Sequence, residues 1–414
     1  MSERPVTNQT GLAALALAPI HIAWNGIPLL TPLTGVGHYT AELLRALIAL
    51  SVRQSPEFCV DTFFSRRWLG PNETLAMGSV SLLPESGWAS SVFWRDLLRH
   101  VPGARGLNRG LQSYHFQKGC RQLQPLLYHE PNFIAFPFDG PTVVTVHDLS
   151  FFRHPETHPV DRVRFMSRHI EASLQRAQVI VAVSHFVRQE IEHLFGDWAA
   201  RKTTVVPNGV TADFHPMHEE KTAKVLARYG LSHGQYLLTL GTLEPRKNLP
   251  ALLRAYCELP LDLKARVPLA IVGPKGWRAA ELKSLAQRMR NQNIRWLGYC
   301  QDHERPALYA GASAFAYPSL YEGFGLPALE AMACGLPTVV GSSLAVQEVC
   351  GPAAMVVEPG DTKQFAVGLQ RLLEDQALRE SLAKAALQRA QKFSWVMSAE
   401  RLLQVYQPLV RAAG

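Results

Sequence analysis

Two glutamates stand closest to chemistry in this chain. In the stretch from Tyr317 to Pro337, Glu322 lies among glycines and Glu330 follows with seven residues between them. The apolar run before them reads as a buried strand, Gly323 and Gly325 allow a tight turn, and Pro327 suits the first turn of a helix. Gly335 with Pro337 stops that helix after about two turns. A strand, glycine turn and short helix aim free backbone N–H groups and a positive dipole end at whatever lies above the strand, which suits a phosphate or a sugar hydroxyl. With Glu322 in the turn and Glu330 in the first helical turn, both carboxylates can face one crevice and accept hydrogen bonds from paired sugar hydroxyls. The same residues allow a plainer reading, in which Glu330 complements the helix dipole and Glu322 is a solvated loop charge.

Cations come from a second place. Gly241-Thr-Leu-Glu-Pro-Arg-Lys-Asn follows a short apolar strand, so Arg246 and Lys247 fall in a strand-to-helix loop. Arg offers a planar fork to phosphate oxygens and Lys a point charge; a solvated basic turn fits the spacing as well. Asp-x-Asp, a common way to hold a divalent metal, occurs nowhere in the sequence. In the first half, His147 and Asp148 end the apolar run Pro141-Thr-Val-Val-Thr-Val, and ligands of open α/β folds bind at such ends. A histidine there otherwise fixes a loop through hydrogen bonds. Gly35 and Gly37 precede an amphipathic helix over Tyr39 to Leu50, where backbone can approach an anion or simply pack closely.

The run Glu-Gly-Phe-Gly-Leu-Pro-x-Leu-Glu-Ala resembles the E-x7-E signature of the retaining glycosyltransferases of family 4, which have the two-domain GT-B fold. The likeness extends from about His21 to Leu409. It implies that Glu322 holds hydroxyls of a donor sugar, helped by backbone amides of Gly323, Phe324, Gly325 and Leu326, and that Glu330 holds ribose hydroxyls. It implies further that Arg246 and Lys247 clamp the diphosphate in place of a metal. Gly35 and Gly37 match the family's glycine loop at donor phosphate and acceptor, and His147 matches the histidine beside the reacting carbon. Gly298 and Tyr299 lie where the family places the nucleobase, and Gly241 ends a strand over the same edge. His154 and His158 are expected on the acceptor side or in structural roles.

These residues need elements to carry them. At 414 residues the chain is too long for one ordinary core, and its 47% hydrophobic and 18% charged content describes a folded globular protein. Strands alternating with helices throughout predict two doubly wound, Rossmann-like parallel sheets facing a cleft. The expected division is a loose extension over 1–18, a first domain over 19–208 completed by a terminal helix in 395–414, and a second domain over 209–394. "VVPNGV" resembles the family's crossing between domains, with a hinge near Asn208 to Phe214.

The six cysteines are scattered without C-x-x-C pairing, which fits reduced core residues of a cytoplasmic protein and argues against a zinc site. The apolar stretch Gly11 to Ile20 is too short to span a bilayer and lacks the marks of a signal peptide. The formal net charge of +8 suits anionic small molecules, an anionic membrane or nucleic acid without choosing among them. Between Pro84 and Gln124, Trp88, Phe93, Trp94, Tyr114 and Phe116 interleave with Arg95, Arg99, Arg105, Arg109, Lys118 and Arg121. That segment is either an ordinary helix pair covering the sheet or a surface resting on lipid head groups on the inner face of the cytoplasmic membrane. No nucleic-acid motif accompanies it.

The resemblance implies transfer with retained configuration and no metal. The donor is expected to be GDP-mannose, from likeness of the His-Asp-Leu-Ser-Phe-Phe and Arg-Lys-Asn loops to bacterial mannosyltransferases, and the acceptor a glycan or lipid-linked sugar of a surface polysaccharide. The alternatives are a UDP-sugar donor, a GT-B sugar-nucleotide epimerase, and a non-catalytic glycan-binding partner.

Overall fold

A computed structural model describes residues 19–30, 33–53, 58–76, 104–274, 285, 289 and 291–413. The expected extension over 1–18 and the aromatic stretch 84–103 lie outside them. The first half carries strands β1 (Ile20–Asn25), β2 (Phe58–Phe64), β3 (Arg67–Leu69), β4 (Leu127–Glu130), β5 (Thr142–Val146), β6 (Val179–Ala182) and β7 (Thr203–Val205). They form one sheet in the order β3-β2-β1-β4-β5-β6-β7, parallel except for β3, which turns back on β2 as an edge hairpin.

The second half carries β8 (Leu237–Leu240), β9 (Leu269–Val272), β10 (Ile294–Gly298), β11 (Ala314–Tyr317), β12 (Thr338–Gly341) and β13 (Met355–Val357). Their order, β10-β9-β8-β11-β12-β13, is parallel throughout. Every residue of β5, β9, β11 and β12 is buried, as expected for strands covered by helices on both faces. In each sheet the strand order reverses beside the first strand, between β1 and β4 and between β8 and β11. Such switch points open crevices at the C-terminal strand ends, and the motif loops lie there.

The two halves meet along crossing segments. Val210 bridges Ser394, so the chain passing out of the first sheet lies against the chain returning to it. The last helix, Trp395–Ala413, packs along the helix Gly35–Arg53. Its Ser398 hydroxyl donates to the Pro207 carbonyl at 2.6 Å, and its Tyr406 hydroxyl bonds Nδ1 of His129 in β4. Tyr406 and His129 are both buried, so this bond helps fix the terminal helix to the first sheet.

Of the basic aromatic segment, the helix Ala104–Leu123 covers the sheet with one side, as the first of its two readings expects. Phe116 is buried and stacks on Phe136, and Arg109 donates to the Ile134 and Ala135 carbonyls at 3.0 and 3.2 Å. On the opposite side Leu107, Leu111 and Tyr114 are exposed, together with Lys118 and Arg121.

Candidate active site

A cavity of about 280 Å³ opens between the C-terminal edges of the two sheets. The turn after β11 forms its floor. Gly325, with φ +100°, precedes the helix Leu326–Ala333, a conformation that side chains with a Cβ resist. Gly323 lies against the other half of the chain: a Cβ there would stand 1.7 Å from the His147 carbonyl oxygen. Ser184 of the first half donates to the Gly323 carbonyl at 2.7 Å. The turn after β11 and the end of β5 are therefore in close contact.

Glu322 is 6% exposed and occupied on both oxygens. Arg246 Nη1 donates to Oε2 at 2.9 Å, and Lys247 Nζ donates to Oε1 at 2.5 Å. Lys247 also donates to the Tyr317 hydroxyl at 2.8 Å, which in turn donates to Glu322 Oε1 at 2.8 Å. The cations project this way because Pro245–Lys247 is a single tight turn, followed by Asn248 at φ 51° and a helix over Leu249–Cys257. Arg246 Nε reaches Glu244 at 3.0 Å. Burial by itself would raise the Glu322 pKa, but Lys247 and Arg246 hold it down at about 2. Burial opposes the Arg246 charge, yet Glu322, Asp148 and Glu244 keep its pKa well above the ordinary value. Burial and then Arg246 lower that of Lys247.

Glu330 lies in the second turn of its helix, one turn later than its spacing suggested, because the helix begins at Leu326. It is 5% exposed. Oε1 takes a hydrogen bond from Arg305 Nη2, while Oε2 has no partner among the described residues. Arg305 Nη1 donates to Nε2 of His38, at 2.9 Å, and so ties the helix Gly35–Arg53 to the helix Arg305–Ala310 of the second half. Burial, then the Arg305 charge, lowers the His38 pKa to about 3, so the ring is neutral and accepts. No motif pointed to Arg305 or His38. The signal for His38 is its place directly after Gly37 of the glycine pair, and Arg305 begins the helix that follows β10 with no distinctive residue pattern around it.

His147 donates from Nε2 to the Pro131 carbonyl at 2.7 Å, and burial lowers its pKa to about 4. It is a neutral ring with Nδ1 left as an acceptor, packed edge-on to Tyr39 at 4.6 Å between centroids. Gly35, His147, Gly241, Arg246, Lys247, Tyr299, Glu322, Gly323, Phe324, Gly325, Leu326 and Glu330 all line the cavity. Gly37 does not. The helix starts at Gly35, which turns Gly37 inward onto Leu33, where a Cβ would stand 2.9 Å from a methyl carbon. Gly298 does not line it either; its carbonyl accepts the Gly273 N–H at 2.7 Å. Tyr299 is 53% exposed at the cavity mouth.

Among the described residues, His21, Cys59 and Asp61 form one cluster that could take a metal ion. It stands at the N-terminal ends of β1 and β2, on the edge away from the cavity, with His21 Nδ1 and Asp61 paired at 2.5 Å.

The chemistry this arrangement offers is binding of a polyhydroxylated phosphate ester: two fixed cations for phosphate oxygens, two acids at different heights for hydroxyl pairs, and a neutral histidine between them. The model described as glycosyl transferases group 1 matches residues 228–389, and that described as Glycosyltransferase Family 4 matches 90–214. O-antigen chain mannosyltransferase B of Escherichia coli is 34% identical over 384 residues, covering 92% of this chain and 98% of that protein. Among solved structures, sucrose-phosphate synthase from Thermosynechococcus elongatus superposes with a TM-score of 0.69 at 19% identity, covering 95% of this chain and 100% of that one. HepE of Anabaena, solved with UDP-glucose, superposes at 0.66 and 18% identity, covering 94% and 100%. The structural likenesses agree with the GT-B architecture seen in the two facing sheets, and the sequence relation carries the rest: this chain belongs to the family 4 glycosyltransferases and is a hexosyltransferase.

Proposed function

We propose that the chain transfers mannose from GDP-mannose, with retained configuration and without a metal, to a sugar acceptor in the assembly of an O-antigen-like surface polysaccharide. The observation that carries this reading is the meeting of Arg246, Lys247 and Glu322 on one wall of the cleft with Glu330 beside them. Leaving diphosphate gains charge as the anomeric bond breaks, and two fixed cations meet that charge without reorganisation. Glu322 turns from the cations to the sugar hydroxyls once phosphate takes its place. The free oxygen of Glu330 suits a ribose hydroxyl. The mannosyl assignment draws on the Escherichia coli relative, and the guanine assignment on Asp302 at the mouth, since a carboxylate complements the N1–H and amino edge of guanine.

In this mechanism a phosphate oxygen of the leaving group takes the acceptor hydroxyl proton as the new glycosidic bond forms on the same face. The protein contributes positioning, charge stabilisation and exclusion of water. The enzyme works in the cytoplasm, on the inner membrane face, with Leu107, Leu111 and Tyr114 against lipid and Lys118 and Arg121 at the head groups. Incubation with GDP-mannose, UDP-glucose and UDP-GlcNAc, with and without EDTA, tests the donor and the metal, and NMR of the product tests the anomer. Turnover of GDP-mannose that survives EDTA and yields the α-anomer is expected; EDTA-sensitive turnover or an inverted product would overturn the mechanism.

A further inference from the structure

We propose that Asp148 binds the acceptor, its free carboxylate oxygen taking a hydrogen bond from a hydroxyl of a neutral sugar at the seam between the two halves. Asp148 follows β5 directly and lines the cavity. Its Oδ1 accepts from the Ser150 N–H at 3.1 Å and the Ser150 hydroxyl at 2.7 Å. Ser150 Oγ is in turn 2.8 Å from His158 Nε2. A serine has one hydroxyl proton, and it goes to the carboxylate. His158 must therefore donate to the serine oxygen, and the chain runs from His158 through Ser150 to Asp148. This order disqualifies Ser150 as a nucleophile, because His158 holds a proton where a base would need a lone pair. What it accomplishes is to lock the rotation of the Asp148 carboxyl.

The other oxygen, Oδ2, has no hydrogen bond among the described residues, and no cation there lies within ion-pair distance. Burial would raise the Asp148 pKa, yet Arg246 and the Ser150 hydrogen bonds lower it, so the group is ionised. Asp148 is half-buried on the wall of the open cavity, so this ionised oxygen, held in one orientation, is placed to accept a hydrogen bond from a ligand that enters there. The wall around it includes His158, Arg162, Phe133 and Val183. A phosphate would be repelled by the carboxylate; a sugar ring offers hydroxyls to Asp148 and an apolar face to Phe133. The position suits the acceptor, because the Asp148 Cβ comes within 3.0 Å of where a Cβ on Gly323 would stand, beside the turn assigned to the donor sugar.

This inference rests on the proposed function, so its test separates the two. Wild type, Asp148→Asn and Ser150→Ala are compared for GDP binding by calorimetry, for slow hydrolysis of GDP-mannose without acceptor, and for transfer to octyl α-mannoside and octyl β-N-acetylglucosaminide. Asp148→Asn keeps the shape and loses the charge. Because the Asp148 charge also acts on Arg246, GDP is expected to bind as well as in wild type or somewhat more tightly and hydrolysis to persist, while kcat/KM for acceptor falls roughly ten- to a hundredfold, chiefly through KM. Ser150→Ala, which only unlocks the carboxyl, should show a smaller loss of the same kind. Parallel loss of hydrolysis and transfer, unchanged transfer, or no transfer by wild type to either glycoside would overturn the role of Asp148. Failure of wild type to bind GDP at all would overturn the reading of the donor site instead.

Discussion

Replacing Glu322 by glutamine removes one negative charge from between two buried cations and leaves the side-chain shape intact. Arg246 and Lys247 are each 16% exposed and lean on this carboxylate at 2.9 and 2.5 Å. Removing one partner of a buried pair costs about 3 to 5 kcal/mol, and the amide oxygen of glutamine keeps one acceptor, so the lower end applies. For domains of this size that corresponds to a melting point lower by about 6 to 12 °C. A nucleoside diphosphate supplies the missing charge. Two like charges about 6 Å apart at an effective dielectric of about 20 repel by about 3 kcal/mol, so losing Glu322 should tighten GDP by roughly tenfold or more after screening by salt. Glu322→Gln is therefore expected to be less stable alone, to gain more from GDP than wild type in thermal shift, and to turn over GDP-mannose far more slowly. Calorimetry with GDP across salt concentrations, beside melting curves, measures both effects. An unliganded variant as stable as wild type, with unchanged GDP affinity, would refute the claim that this carboxylate holds the clamp.

Four further outcomes are expected. Gly323→Ala puts a methyl into the His147 carbonyl, 1.7 Å away, so the halves must separate; kcat should fall more than GDP affinity, and small-angle scattering should show a larger radius. Wild type is expected to prefer GDP over 2′,3′-dideoxy-GDP in titration and Glu330→Gln to lose that preference, since Oε2 is without a partner among the described residues. Stability should drop as pH falls below 6.5, because burial holds His129 at about 3 and His147 at about 4. A base whose folded pKa is depressed contributes stability present above its unfolded value and lost as pH falls toward the folded one, here about 1.4 kcal/mol per pH unit for each ring. Melting from pH 7.5 to 5 measures the slope, and His129→Asn should lower the curve at pH 7.5 but flatten it. Replacing Leu107, Leu111 and Tyr114 together by serine should abolish flotation with anionic vesicles while leaving activity on a soluble acceptor unchanged; retained flotation would remove that helix from any membrane role.

Local sequence determined the alternation of strand and helix, the burial of strands such as Thr142–Val146, and the turns that end them, because hydrophobic period, glycine and proline act within a few residues. It also marked the two acids, the Arg-Lys pair and the histidine. Only tertiary structure decided what those groups do to each other. Arg246 and Glu322, separated by 76 positions, form one ion pair, and Arg305, with no motif around it, takes one oxygen of Glu330. Spacing could not tell that Gly37 would face the core while Gly35 faced the cleft, since that depends on where the helix begins. Nor could it show that one oxygen of Asp148 is tied down and the other left open. Charges and hydrogen bonds across a cleft are set by how two sheets approach one another, and that approach is a property of the packed chain, absent from any short stretch of it.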